Sequence, residues 1–597
     1  MKRFAWVPIL LLLALAAIKP AAAGGFTSRE RLDPTLSCQI RVGLGGYMQQ
    51  GGMLPVLFEF ENSGESRLVS VRTGPRIQAS ATFSVPAGSG IQRFLYLPVP
   101  FNYAYHMRNV WFTDAETGRE LAETHVYNMG SSVRYLGSGP SSPYMRTVTR
   151  SSSGRAPTLA GISLSGRKTF AVNEDLDSRY KLQVQKVSQG RLPDRWVGYT
   201  CLNLVILDYD VWQSPSLRRE PLMHWMAMGG VCLLVDAPSG AKSGFREQLA
   251  KSTPFVGEWQ SQGSLLPVGM GHVMMVDSES LTMTHRRFFP SEVSPRRTVI
   301  TNAYDSPYKP DVQGVGSLPF WPVLLLLTVF AALVGPLGWW YLVGKKQMGL
   351  LYYIAAPTLS LTVIALVVVA DIFHEGVTPK VSCHAVRLLD QRVKKAVSLS
   401  QFGIYAPFSL GGDLEGHPDE VAHFLSMGDS SRSYSAQMKG FSIRRASDRR
   451  IYGGVLPARE KAWFGREWIG LERRRLVVWE EDGRIAVENH LDCDLKDLLV
   501  HLNGKYAEFE SLAAGQKATA HPSQSQPEHR FLQPDPGSWI QGLRSFVKKA
   551  APLVKSFSRE RNRGNFYAAE AEGCLDRHVW VDSFRPSGTS LLIVGRF

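Results

Sequence analysis

The sequence predicts a multidomain membrane protein with four folded parts: a β-sandwich, an α/β domain with an open sheet, a two-helix transmembrane hairpin and a β-rich domain. Three observations predict this fold class: an export signal at the N-terminus, two long apolar stretches near the middle of the chain, and short strand-like segments on both sides of them. The 597 residues suffice for several hydrophobic cores. Apolar content of 44% and charged content of 20% are typical of folded chains.

Shifts in composition divide the chain. The segment 136–157 is rich in Ser, Gly, Pro and Arg and has no apolar period, which is typical of a linker. The complete predicted division is a signal peptide over 1–23, an immunoglobulin-like β-sandwich over 24–135, the linker over 136–157, an α/β domain over 158–280, transmembrane helices over 318–344 and 348–372, and a β-rich domain over 376–597 that contains a basic amphipathic helix at 539–557.

The N-terminus has the residue order of a secretory signal peptide. Lys2 and Arg3 precede an apolar run over 4–18, and small residues follow at 21–24. We expect cleavage after Ala23. The alternative is an uncleaved anchor helix, for which the apolar run is short.

The hairpin is predicted from two stretches that each exceed the roughly 20 residues needed to span a bilayer. The connection between them carries Lys345 and Lys346 and no acidic residue, so the positive-inside rule places that loop in the cytoplasm. Both large regions then lie outside the cytoplasm. The alternative, two buried helices of a soluble core, does not explain the basic loop. No ionisable residue precedes Asp371 in either span, which favours an anchor over a transport path.

The first domain shows strand alternation. Val56, Phe58 and Phe60 are expected on the inner face of one strand, and Leu57, Glu59 and Glu61 on the outer face. Further short strands separated by turns favour an immunoglobulin-like sandwich.

The second domain contains a βαβ pattern. An apolar run over 201–208 precedes a helical pattern over 216–228, and after Gly229 and Gly230 a second apolar run covers 231–235. Near-continuous apolar runs are typical of strands in a sheet covered on both faces.

Several short motifs, taken in their order, resemble those of one protein family. They are Leu-Pro-Asp-Arg-Trp-Val-Gly-Tyr at 192–199, the strand at 204–208, His224-Trp225 before 229–235, Gly-Met-Gly-His-Val at 269–273, Val-Gly-Pro-Leu at 334–337, Trp339-Trp340, Leu-Leu-Asp-Gln at 388–391 and Tyr-Ala-Pro at 405–407. The resemblance, over about 38–597, is to uncharacterised bacterial two-pass membrane proteins with a glutamine-amidotransferase-like periplasmic domain. It implies a two-pass architecture in a bacterial inner membrane with both large regions in the periplasm, and no activity is carried over with it.

No catalytic, cofactor-binding or metal-binding residue is predicted. Amidotransferase chemistry needs a cysteine at a strand-to-helix elbow with a histidine and a carboxylate. Cys232 lies within an apolar strand, which favours a buried core thiol, and the same holds for Cys201. His272 follows a glycine turn, and His384 and His374-Glu375 lack metal-ligand spacing.

The last domain is predicted to be mostly β. Strands over 474–480 and 484–488 flank Asp482-Gly483, a strong hairpin signal. Six cysteines allow 15 pairings, among which Cys493 with Cys574 is one possible bridge.

One segment, 539–557, has apolar residues at helical spacing and a basic opposite face. With the net charge of +15, this helix predicts contact with anionic lipid headgroups, an acidic envelope polymer or an acidic protein, and nucleic acid is not expected outside the cytoplasm. The alternative is a helix that packs on its own domain. The residues predicted to contact anionic lipid are Arg544, Lys548, Lys549 and Lys555.

The sequence therefore predicts a membrane-anchored envelope protein with a non-catalytic binding or scaffolding role, in contact with the lipid bilayer and other envelope proteins. Two alternatives stay open: a hydrolase or amidotransferase-related enzyme with its site in 158–280, and a glycan or envelope-polymer binding protein. The carboxyl ends of the α/β strands distinguish them, because open sheets bind ligands there. A deep polar cleft containing Cys or Ser, His and a carboxylate favours an enzyme, whereas a filled or shallow surface favours a scaffold.

Overall fold

The computed structural model describes the greater part of both β-rich regions and of the parallel sheet between them. The described residues are 27–44, 47–48, 52–74, 78–98, 109–125, 134–135, 158–163, 181–259, 265–277, 312, 320–332, 336, 340, 357–358, 360–365, 378–407, 414–417, 419–425, 442–445, 450–453, 461–525, 565–572 and 585–597.

Strands dominate the described residues. In chain order they are β1 (Thr27–Arg31), β2 (Leu36–Val42), β3 (Tyr47–Met48), β4 (Met53–Asn62), β5 (Arg67–Gly74), β6 (Gln78–Val85), β7 (Ser89–Pro98), β8 (Asn109–Asp114), β9 (Glu120–His125), β10 (Arg134–Tyr135), β11 (Thr158–Ser163), β12 (Lys181–Lys186), β13 (Leu204–Asp208), β14 (Val231–Val235), β15 (Leu265–Val268), β16 (Gly271–Val276), β17 (Lys380–Asp390), β18 (Lys395–Tyr405), β19 (Leu414–Gly416), β20 (Glu420–Leu425), β21 (Ser442–Arg445), β22 (Arg450–Gly453), β23 (Lys461–Leu471), β24 (Arg475–Glu481), β25 (Arg484–His490), β26 (Asp494–Leu502), β27 (Lys505–Leu512), β28 (Lys517–Ala520), β29 (Phe566–Glu572) and β30 (Arg585–Arg596).

Helices are short. The α-helices are α1 (Tyr209–Gln213), α2 (Arg219–Ala227), α3 (Ala241–Ala250) and α4 (Phe320–Ala332), and single 3-10 turns cover Gln189–Arg191 and Trp196–Tyr199. Residues 357–358 and 360–365 are also helical.

The first core lies between sheets drawn from both ends of the chain. A four-stranded antiparallel sheet, β1-β2-β4-β7, contributes Phe58 and Phe60, whose rings lie 6.0 and 6.4 Å from that of Phe112 on β8. The seven-stranded sheet, in the order β19-β22-β21-β6-β5-β8-β9, joins early and late strands through the parallel pair β6–β21. One face of an eight-stranded sheet, β20-β23-β18-β17-β30-β29-β26-β27, also contributes to this core, through residues such as Ala385 and Leu389.

The second core lies on the other face of the eight-stranded sheet, where Val386 and Leu388 pack against the parallel sheet. That sheet has the order β12-β11-β13-β14-β16-β15, and its strands are parallel except for β15 at the edge. The βαβ unit consists of β13, α2 and β14. Gly230 lets the chain turn tightly after α2, since a Cβ there would lie 2.4 Å from the ring of Trp225.

The alternation expected in β4 is present on its inner face. Val56, Phe58 and Phe60 are buried in the first core. Leu57, on the opposite face, is also buried, because the second core covers that half of the sheet. Glu59 and Glu61 stay at least partly exposed on the remaining half.

The predicted fold class is wrong in its central feature. In the described residues no helix is long and apolar enough to cross a membrane. Helix α4, within the predicted span 318–344, has 13 residues, or about 20 Å at 1.5 Å per residue, whereas a span needs roughly 20 residues. The predicted hairpin over 318–344 and 348–372, and the bacterial inner-membrane location that depended on it, are corrected by this finding.

Other predicted segments lie outside the described residues. They are the signal peptide 1–23, the linker 136–157, the loop with Lys345 and Lys346, and the amphipathic helix 539–557 with its basic residues.

Candidate functional site: a groove beside strand β1

The motif at 192–199 joins three parts of the fold. The Tyr96 hydroxyl of β7 donates to Asp194, Trp196 Nε1 donates to Asp419 O at 2.9 Å, and Arg195 pairs with the Asp419 carboxylate at 3.2 Å. Just beyond the motif, the backbone N–H of Met53 donates to Thr200 Oγ1 at 2.7 Å. Trp196 is 1% exposed. These residues hold the parallel sheet against both β-rich regions.

The cysteines of the parallel sheet are buried, as predicted. Cys232 lies in the middle of β14 beside Val205 and Val273, and burial raises the pKa of its thiol to about 12. Such a thiol is almost fully protonated at neutral pH and is a poor nucleophile. Cys201 is also buried, with its sulfur 3.4 Å from Gly198 O.

Three of the histidines named from the sequence have separate settings in the described residues. His272 is half-buried on β16, and burial lowers the pKa of His384 on β17. His224, on α2, lies 2.8 Å through Nε2 from Lys395 Nζ of β18. Residues 374 and 375 lie outside the described residues.

Aspartates end three neighbouring parallel strands. Asp208 is the last residue of β13, and Asp236 and Asp277 directly follow β14 and β16. Asp236 and Asp277 are exposed. Within the described ranges no group of three or more His, Cys, Asp or Glu could hold a metal ion.

A groove of about 820 Å³ opens at one end of the four-stranded sheet. Its size is within the usual range for ligand sites of roughly 300–1,000 Å³. It lies between β1, the β1–β2 turn, the end of β4 and the start of β7. It is lined by Arg29, Glu30, Arg31, Asp33, Pro34, Thr35, Leu36, Ser37, Glu61, Asn62, Ser63, Gly88, Ser89 and Gly90.

A buried asparagine fixes the loops on one side of the groove. Asn62, only 3% exposed, donates through Nδ2 to Glu65 O at 2.7 Å and Pro86 O at 3.1 Å, and its Oδ1 accepts from the Gly64 N–H at 3.0 Å. Because one side chain ties the β4–β5 and β6–β7 turns together, this wall is ordered before any ligand binds.

An aspartate fixes the other side. Asp33 Oδ1 accepts from the backbone N–H groups of Thr35 and Leu36 at 2.7 and 2.8 Å, and Oδ2 pairs with Arg67. Burial acts to raise the pKa of Asp33, but the bonds from Thr35 and Leu36 and the Arg67 charge together hold it below its ordinary value. The turn that begins β2 is therefore held by an ionised carboxylate at neutral pH.

Strand β1 is an outer strand of its sheet. The Leu32 N–H donates to Leu36 O at 2.9 Å, and β1 pairs Glu30 with Cys38 and Ser28 with Ile40. Hydrogen-bonded pairs alternate along an antiparallel ladder, so Ser28 and Glu30 bond to β2. The backbone N–H and C=O groups of Arg29 and Arg31 therefore point away from the sheet.

The β2–β4 ladder gives the same assignment independently. Ser63 N–H donates to Thr35 O at 2.8 Å and Gly43 N–H donates to Pro55 O at 2.8 Å. Odd-numbered residues of β2 thus bond to β4, which leaves its even-numbered residues for β1.

Neither β1 nor the groove is predicted from the sequence. The segment Thr-Ser-Arg-Glu-Arg at 27–31 has no apolar residue, so period-two alternation of hydrophobicity could not reveal a strand. The available signal was Asp-Pro-Thr at 33–35, which favours a turn, placed directly before the strand-like residues from 37 onward.

Comparisons with known proteins add little. No family model and no curated protein matches the chain. Among solved structures, the yeast delta-COP-I mu-homology domain matches with 9% identity and a TM-score of 0.19, over 37% of this chain and 98% of its own. The same yeast domain complexed with a Dsl1 WxWxV peptide gives 8% identity and a TM-score of 0.17, with the same coverage. Scores this low carry no argument, and the resemblance described from the sequence stays a prediction.

Proposed function

We propose that this chain is a non-catalytic binding protein that takes up a segment of a polar partner in the groove beside β1. The observation that carries the proposal is a concave surface whose two walls are fixed by Asn62 and Asp33, next to an edge strand on which Arg29 and Arg31 have no outward backbone partner among the described residues. Ordered loops at the end of a β-sandwich are a common binding arrangement, because a preformed site avoids the entropy of ordering on association.

The two fused cores serve as the scaffold. Since late strands such as β21 complete the sheet that backs the first core, the groove is supported by both ends of the chain. A rigid support keeps the groove walls in one geometry.

Two other functions have less support. The thiol pKa of about 12 at Cys232 does not favour an amidotransferase or hydrolase in the parallel sheet. The groove lining contains no aromatic residue on which a sugar ring could stack, so a peptide is a better fit than a glycan.

Selection of a random peptide library on the full-length chain tests the proposal, with a groove-filling variant as comparison. Gly90→Trp adds a bulky side chain where a Cβ meets only Phe60 O at 3.7 Å, so the fold tolerates it. Gly244→Trp, on the exposed face of α3 with open space around it, is the matched control.

We expect peptides that bind the wild type and Gly244→Trp equally and lose binding to Gly90→Trp. Failure to enrich any peptide, or enrichment only of peptides that bind all three proteins equally, would contradict the proposal. If glycans on an array bind the wild type and Gly244→Trp but not Gly90→Trp, the partner is a polymer rather than a peptide.

A further inference from the structure

We propose that the partner segment is acidic and binds as an additional strand hydrogen-bonded to β1. This inference rests on the proposed function, and it specifies how the groove recognises its partner.

The backbone geometry supplies the first argument. Arg29 and Arg31 present two N–H and two C=O groups along the outer side of β1, spaced as an extended chain requires. Among the described residues, none of these four backbone groups has a hydrogen-bond partner on that side. The side chains of Arg29 and Arg31 make their own contacts elsewhere. An extended segment laid beside β1 would satisfy all four groups, as in other cases of strand addition.

Two other sheet edges in the described residues are already occupied. On β7, the Arg445 guanidinium donates to Phe94 O at 2.7 Å. On β27, Tyr506 and Ser523 exchange backbone hydrogen bonds at 2.8 and 2.7 Å. Exposed edges are normally protected in such ways, whereas on β1 no such contact reaches the outward backbone groups of Arg29 and Arg31 among the described residues.

The side chains supply the second argument. Arg29 and Arg31 both extend from the outer face of the sheet, beside Gln39 and Ser37 of β2. Residues directly opposite each other on adjacent strands lie about 5 Å apart at Cβ, so a strand added to β1 would place its alternate side chains against these two arginines. Acidic residues at those positions would pair with them.

The present partners of the two arginines are weak. Arg29 pairs with Glu61 at 2.7 Å, but their side chains are 68% and 69% exposed, and pairs of this kind contribute little. Arg31 donates to Pro34 O at 3.3 Å. Exchange of these contacts for a partner carboxylate therefore costs little.

The same charges select against a second copy of this chain. Antiparallel pairing of two β1 strands centred on Arg29 would place Arg29 opposite itself and repel. Glu30 does not compensate, because its side chain lies on the inner face and accepts from Thr124 Oγ1 at 2.6 Å.

Defined synthetic peptides test the inference on the full-length chain. The probes are an alternating threonine–aspartate peptide, its threonine–lysine counterpart, and the acidic peptide N-methylated at alternate amides. Binding is measured by calorimetry or polarisation, together with amide hydrogen exchange of residues 27–31. The charge variant is Arg31→Glu, with Arg475→Glu on the edge strand β24 as the matched control, since Arg475 is also exposed.

We expect the acidic peptide to bind, to protect the amides of Arg29 and Arg31 from exchange, and to lose on the order of tenfold in affinity when the facing amides are methylated. Arg31→Glu should weaken binding by a similar factor, and Arg475→Glu should leave it unchanged.

The outcomes separate this inference from the proposed function. Groove-dependent library peptides that are neutral or basic, or that tolerate methylation at every register, would overturn strand addition by an acidic segment and leave the groove as a binding site. Failure of the acidic peptide to bind, or equal binding of its methylated form, would overturn strand addition, and absence of any groove-dependent library peptide would overturn the proposed function.

Discussion

Lys395 Nζ lies 2.8 Å from His224 Nε2, which joins strand β18 of the eight-stranded sheet to helix α2 of the parallel sheet. A lysine ammonium only donates, so the imidazole accepts through Nε2 and is neutral. Burial, with the Lys395 charge as a second cause, lowers the pKa of His224 to about 3. Glu220 lies 3.5 Å from the same ammonium and completes the cluster.

This contact predicts a pH dependence of stability. Unfolded histidine takes up a proton near its ordinary pKa of 6.5, whereas folded His224 stays neutral down to about 3. Between pH 6.5 and 3 the chain therefore takes up a proton when it unfolds. The free energy of unfolding falls as the pH drops through this range, by a few kcal/mol at most. Urea unfolding of wild type and His224→Gln at several pH values measures the difference. Parallel pH profiles for the two proteins would contradict the prediction.

The buried ion pair of Arg466 with Glu420 predicts a large mutational effect. Their side chains are 1% and 0% exposed, the Nε–Oε2 distance is 2.7 Å, and the Tyr452 hydroxyl donates to the same carboxylate at 3.1 Å. Glu420→Gln should lower the free energy of unfolding by about 3–5 kcal/mol, because it leaves a buried guanidinium without its counter-charge. The double change of Glu420→Met with Arg466→Met should cost less than Glu420→Gln alone. A larger loss in the double variant would show that the charges themselves are required.

Two buried asparagines, Asn62 and Asn489, each hold neighbouring turns together through side-chain hydrogen bonds, but only Asn62 lies at the groove. Asn62→Ala should cost about 1–3 kcal/mol and raise amide exchange at 87–90, because three backbone carbonyls lose their donor. Asn489 makes the same kind of brace to Cys493 O, Leu512 O and Ala513 O, far from the groove in sequence. Asn489→Ala should therefore cost a similar amount and leave exchange at 87–90 unchanged. Equal exchange in both variants would argue against a local role for Asn62.

The Cys232 thiol is predicted to be inert in the folded protein. It is 1% exposed and its pKa is raised to about 12, so a bulky alkylating reagent should modify it only after unfolding. Mass spectrometry of tryptic peptides after native and denaturing alkylation provides the measurement. Modification of Cys232 under native conditions at the rate of a small-molecule thiol would contradict the buried setting.

Local sequence signals predicted local structure. Asp482-Gly483 joins β24 to β25 with positive φ at both residues, as the hairpin signal indicated. The apolar runs at 204–208 and 231–235 are adjacent parallel strands. In both cases the signal and the structure lie within a few residues of each other, so pattern and turn chemistry were sufficient.

Long-range pairing could not be predicted in this way. Strand β6 pairs with β21, more than 300 residues away, and neither strand's pattern names its partner. Apolarity over 318–344 likewise indicated a hydrophobic segment but did not determine the length of its helix. The groove was not predicted because strand β1 is entirely polar, and which of its backbone groups face outward depends on where the sheet ends.

Removal of one backbone donor tests the central claim most directly. The Arg31 N–H points outward, so Arg31→Pro should keep the β1–β2 ladder intact, and Arg31→Ala removes the same side chain while it keeps the N–H. The measurement is the affinity of both variants for a groove-dependent acidic peptide, with thermal melting to verify equal folding. The account predicts that Arg31→Pro binds several-fold more weakly than Arg31→Ala, in line with about 1 kcal/mol for one hydrogen bond. Equal affinities in two equally stable proteins would contradict binding through the edge of β1.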